Sequence, residues 1–242
     1  MKKENFNIIN NIQMKNIKLL FMGILATFLS QHTVLAQDWA NLKMFQDANE
    51  EVGLPKKGED RVVFMGNSIT IGWLNSRPEF FEGKPYINRG ISGQTTPQML
   101  IRFRQDVINL KPKVVVILAG TNDIAGNTGP STLEMIMDNI KGMAELAHAN
   151  DIKVVLSSTL PAYDYPWKPG MEPADKIVAL NKMIKEYAQD KGHIYLDYFS
   201  KMADERNGLP KKYAEDGVHP TIEGYEIMEP LVEKAIENAL KK

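Results

Sequence analysis

Between residues 113 and 118 the chain reads Lys-Val-Val-Val-Ile-Leu, an unbroken apolar run dominated by β-branched residues. The run is too short for a helix and lacks the alternation of a half-exposed strand, so it fits the middle of a parallel sheet covered on both faces. Comparable strand signals lie at 61–65, 86–88, 151–158 and 193–197. Helical spacing fills the intervals 96–107, 131–149, 174–191 and 221–240, and Trp39, Leu42 and Phe45 suggest a leading amphipathic helix over 39–52. Ser131 and Glu134 have the spacing of a capping box. Five strands alternating with helices predict an α/β protein, a three-layer α/β/α sandwich around a five-stranded parallel sheet of flavodoxin-like type.

The 242 residues, 43% of them hydrophobic, can bury one substantial core. Ahead of it, Met14-Lys15-Asn16-Ile17-Lys18 precedes an apolar run over 19–29 and then Val34-Leu35-Ala36. A basic start, a short apolar stretch and a small residue before Gln37 make an export signal over residues 1–36, too short for a comfortable membrane span. Met14 serves such a signal as well as Met1. The expected organisation is therefore a signal at 1–36 and one domain at 37–242, periplasmic or secreted, with no membrane anchor once the signal is cut. The chain has no cysteine, so it forms no disulfide, carries no thiol chemistry and offers no lipid attachment at that residue. Residues 1–36 hold four lysines and one glutamate, so the remainder has a formal charge of −4 against −1 for the whole chain. Without a concentrated basic surface, nucleic acid is not an expected partner.

Several strand ends carry groups suited to chemistry. The run Val62-Val63-Phe64-Met65 stops at Gly66-Asn67-Ser68, which delivers Ser68 to the carboxyl end of a strand, where open α/β sheets bind ligands. Serine there also serves as a plain helix cap. Gly90 and Gly93 bracket a tight loop, either a turn gathering backbone N–H groups or an ordinary connection. Ala119-Gly120-Thr121-Asn122-Asp123 ends the third strand; Asp123 reads better as a brace for that loop than as a second acid, while Arg89 suits an anion or a brace equally. A serine nucleophile needs a histidine base steadied by a carboxylate. Beyond the signal there are His148, His193 and His219, and of these His219 sits in a loop three residues after Asp216. The segment 159–173, with four prolines, two tyrosines and Trp167, is long and aromatic enough to border a site or to pack on itself.

Taken together, Gly-Asn-Ser-Ile-Thr after the first strand, Ile-Ser-Gly-Gln-Thr after the second, Gly-Thr-Asn-Asp after the third and Asp-Gly-Val-His-Pro near the end resemble the SGNH hydrolases, the GDSL esterase/lipase family. The resemblance covers residue 61 onward and implies the SGNH hydrolase fold, no cofactor and no metal. It implies Ser68 as nucleophile, His219 as base, Asp216 as its orienting carboxylate, and an oxyanion hole from Ser68, Gly93 and Asn122. Asn67 departs from the family's usual Gly-Asp-Ser and removes a charge beside the serine. Export and family habit lead to the expectation of a serine esterase acting on short acyl groups, with acetyl esters of carbohydrates first among them, and with a small ester or acylated sugar as its partner. Trp73, Tyr163 and Trp167 are the candidate substrate-binding residues. The alternatives are a lysophospholipase or acyl-thioesterase, which would need an apolar channel, and a non-catalytic carbohydrate-binding protein on the same fold. A metal centre on Asp216 and His219 lacks a second histidine at ligand spacing.

Overall fold

The computed structural model describes residues 38–242, so the export signal expected over 1–36 lies outside the described residues. Residues 44–242 form one compact unit, and 38–43, which run through turns, belong to a separate one. The expected leading helix is shorter than its apolar spacing suggests: α1 covers only Gln46–Val52. Residues 38–45 instead form turns, with Asn41 in the left-handed region at φ 54°, which no α-helix admits.

The sheet consists of β1 (Val62–Gly66), β2 (Tyr86–Gly90), β3 (Val114–Ile117), β4 (Lys153–Ser157) and β5 (Ile194–Leu196), all parallel in the order β2-β1-β3-β4-β5. Between and after them run α2 (Ser68–Ser76), α3 (Thr96–Asp106), the short α4 (Thr121–Ile124), α5 (Leu133–His148), α6 (Ala174–Lys191), the short α7 (Phe199–Met202) and α8 (Ile222–Leu240). None of the helices among the described residues is long and apolar enough to cross a membrane.

Alternation along each strand divides the core in two. Val63, Met65, Val115, Ile117, Val154 and Leu156 face α3, α5 and α6, while Val62, Phe64, Val114, Val116 and Val155 face α2 and α8. All of β1 and β3 is buried, as a strand covered on both faces must be. The cap of α5 falls one residue later than expected: Thr132, not Ser131, accepts the N–H of Met135 at 3.2 Å. The capping box occurs instead at the start of α3, where Gln98 Oε1 accepts the N–H of Thr95 at 3.1 Å.

Candidate active site

The carboxyl edge of the sheet gathers the chemistry. Gly66 ends β1, and the Asn67 side chain accepts the N–H of Ile69 at 3.0 Å, capping α2. Asparagine thus fills the capping role a carboxylate would fill, without burying a charge at a residue only 1% exposed. Ser68 becomes the first residue of α2, where its own N–H has no intrahelical partner. The turn is possible because β2 ends in Gly90: a Cβ there would stand 2.3 Å from the N of Ile71 and 2.8 Å from the O of Asn67.

His219 reaches Ser68 from far along the chain. Its Nε2 lies 2.9 Å from Ser68 Oγ and its Nδ1 lies 2.6 Å from Asp216 Oδ2. The other carboxylate oxygen, Oδ1, accepts the N–H groups of Val218 at 2.9 Å and His219 at 2.8 Å. Desolvation opposes ionisation of Asp216, yet the His219 side chain and these two backbone donors prevail and hold its carboxyl below the usual range. Buried Val218 pins the loop to the core. The histidine is thereby fixed in orientation while its ring stays partly open to solvent.

Gly93 and Asn122 sit on the neighbouring loops. Ile91 donates its N–H to Gly66 O at 3.2 Å, which sets the loop after β2 beside the end of β1. Gly93 adopts φ +76°, a left-handed conformation that favours glycine, and is exposed. Asn122, 3% exposed, spends one amide hydrogen on Gln94 O at 2.9 Å and has a second to offer. Asp123 accepts the N–H of Thr96 at 3.0 and 3.1 Å and its hydroxyl at 2.5 Å, bracing the two loops together. Burial nevertheless raises its pKa to about 6. Arg89 is also a brace: buried, it donates to Asn49 Oδ1 and Asn88 O, both at 2.8 Å, and lies 4.7 Å from the Phe45 ring. Burial lowers its pKa to about 10.

The three aromatic candidates separate. Trp167 lies 6.0 Å from the His219 ring and stacks at 5.0 Å on Tyr165, whose hydroxyl is 3.0 Å from both the hydroxyl and the carbonyl of Thr121. Tyr163, exposed and covered by Arg206 at 4.9 Å, lines a cleft with Tyr165 and Pro166 that reaches Asp216. Trp73 is not a site residue. It is 2% exposed, stacked between Phe80 at 4.9 Å and Tyr225 at 5.4 Å, because its face of α2 turns toward the sheet. Among the described residues no group of three or more His, Cys, Asp or Glu side chains is placed to hold a metal ion. Gln94, which the sequence shows within Ile-Ser-Gly-Gln-Thr but to which it assigns no role, is the acceptor that orients Asn122.

Residues 64–227, more than half of the chain, match the GDSL-like Lipase/Acylhydrolase family. Among solved structures, a GDSL-like lipase from Bacteroides thetaiotaomicron is 51% identical with a TM-score of 0.81, covering 83% of this chain and 99% of that one. An acetylxylan esterase of Xylanibacter ruminicola is 25% identical over 248 residues, 87% of this chain and 49% of that protein. Platelet-activating factor acetylhydrolase IB subunit alpha2 of Homo sapiens is 28% identical over 116 residues, 46% of this chain and 48% of that protein. The chain spans about half the length of the curated relatives it matches. With the match running from β1 into α8 and the solved relative sharing the fold over nearly its whole length, the chain belongs to the GDSL-like lipase/acylhydrolase family.

Proposed function

We propose that the protein is an exported serine esterase that hydrolyses short-chain carboxylic esters, with acetyl groups on carbohydrates as its substrate class. The observation that carries the reading is the relay from Ser68 through His219 to Asp216, with contacts of 2.9 and 2.6 Å. In this mechanism Ser68 Oγ attacks the ester carbonyl carbon while His219 Nε2 takes its proton. Asp216 keeps the imidazole in the required tautomer and stabilises the imidazolium. The oxyanion is met by the N–H groups of Ser68 and Gly93 and the free amide hydrogen of Asn122. His219 then protonates the departing alcohol, and water attacks the acyl-enzyme by the same route, releasing the acid and restoring Ser68.

Two features bear on the substrate. Trp73, on the same helix as Ser68, belongs to the core and so builds no acyl channel, which favours a short acyl group. Trp167 beside His219 and exposed Tyr163 give the leaving-alcohol side an aromatic wall, a surface suited to the apolar face of a sugar ring. Export rests on the amino-terminal sequence pattern; an intact mass starting at Gln37 after secretion tests it.

The deciding experiment is hydrolysis of p-nitrophenyl acetate, butyrate and laurate, with Ser68→Ala alongside. Rates that fall with chain length and vanish in the variant support the reading. Preference for laurate favours a lysophospholipase, and no hydrolysis by folded protein favours a carbohydrate-binding role. Asn122→Ala is expected to lower kcat by roughly 10²–10³ through loss of one oxyanion donor. A change confined to KM would limit Asn122 to substrate binding.

A further inference from the structure

Beneath the loop that carries Gly93, a fully buried arginine bonds to three segments of the site at once. Arg102 is 0% exposed and lies on the core face of α3 among Met99, Phe103 and Asp106. Its Nη2 donates to Gly66 O at 3.0 Å, at the end of β1, and to Arg89 O at 2.9 Å, near the end of β2. Its Nε donates to Gln94 Oε1 at 2.5 Å, and its Nη1 to Asp106 Oδ2 at 3.0 Å. Gln94 is therefore held twice, through its side chain by Arg102 and through its carbonyl by Asn122. Asp106 is held in turn by Asn49 Nδ2 at 2.8 Å, and Asn49 Oδ1 accepts from Arg89.

From this geometry we infer that Arg102 is the positioning residue of the oxyanion hole, fixing the loop that carries Gly93 and Gln94 against the strand end that delivers Ser68. The inference rests on the esterase reading above. Its physical basis is the shape of the guanidinium. One planar fork satisfies acceptors lying in different directions on β1, β2 and the Gln94 side chain, which the single point charge of lysine does not reproduce. A buried ion pair such as Arg102–Asp106 adds little stability over well-packed apolar residues, because both charges must be desolvated. What it supplies is a unique geometry, and three of its four acceptors belong to segments that frame the site. An oxyanion donor acts only when placed to within a few tenths of an ångström of the transition-state oxygen, so loosening this clamp is felt in kcat before KM.

The test compares wild type, Ser68→Ala, Arg102→Lys, Gln94→Leu, Asn122→Ala and the double variant Arg102→Lys/Asn122→Ala on p-nitrophenyl acetate, with folding checked by circular dichroism. Gln94→Leu cuts the link to the loop while leaving the Arg102–Asp106 pair, and so serves if the arginine variant does not fold. Arg102→Lys is expected to lose roughly 10²-fold in kcat, about what one oxyanion donor supplies, with KM within about threefold of wild type. Gln94→Leu is expected to lose at least about tenfold by the same route. The double variant should be no slower than about threefold below Asn122→Ala, since both changes disable one device. Folded Arg102→Lys and Gln94→Leu proteins with wild-type kcat, or losses that multiply in the double variant, overturn the inference while the esterase reading stands. Wild type no faster than Ser68→Ala sinks both.

Discussion

Asp123 binds the loops after β2 and β3 with a carboxylate that is costly to ionise. Desolvation outweighs the three contacts from Thr96 and lifts its pKa from 3.8 to about 6. The folded state therefore holds this proton more tightly than the unfolded chain, and stability drawn from it is lost as pH rises from the unfolded to the folded value. Asp123→Asn keeps an acceptor for Thr96 but cannot titrate. Urea unfolding of both proteins between about pH 4 and pH 6 should show wild type losing ground to the variant by roughly 1.4 kcal/mol for each pH unit climbed. Parallel curves would mean the carboxyl titrates normally. At this scale the sequence is informative wherever a role follows from spacing. Asp216 and His219, three apart around Gly217, do meet, whereas the cap that serine offered falls one residue earlier, on Asn67. Arg102 is illegible because a charge inside an apolar stripe resembles a solvated face until its acceptors arrive from β1, β2 and the Gly93 loop. Trp73 misleads for the converse reason: nearness to Ser68 along the chain says nothing of which way the helix face turns.

At the level of elements, the strands are legible because residues buried on both faces leave unbroken apolar runs, as in β1 and β3. Helix starts are less so. Adjacent Ser131 and Thr132 both suit one capping position, and Thr132 takes it. The first half of the expected leading helix gives way to turns that include Asn41, whose positive φ no apolar spacing reports. The junction of β2 with α2 tolerates less than either. A Cβ on Gly90 meets backbone atoms of Asn67 and Ile71 rather than a movable side chain, so Gly90→Ala must push the first turn of α2 away from the sheet. Overpacking of this kind is expected to cost about 3 kcal/mol or more and to displace Ser68, lowering both melting temperature and turnover. A variant that melts and turns over like wild type would show that the turn yields freely.

Across the whole molecule, the strand order places β1 between β2 and β3, so that Ser68, Gly93 and Asn122 arrive on adjacent strand ends, while the loops after β4 and β5 bring Trp167 and His219. Ser68 and His219 are 151 positions apart, yet further contacts join their carriers: Tyr225 of α8 stacks on Trp73 of α2 and donates to Ile69 O at 2.9 Å, and Glu229 accepts from Arg77 at 2.9 Å. The aromatic cluster around Trp73 thus does for distant chain segments what Arg102 does for neighbouring loops. This clasp makes the molecule divisible. A break in the exposed turn between Asn150 and Asp151 leaves Ser68 on one piece and His219 on the other, with the β3–β4 ladder and the Trp73–Tyr225 stack holding them together. Each piece alone should be silent on an ester substrate, and colour should return when the two are mixed. The chain is in that sense a coincidence detector whose signal is its own reassembly.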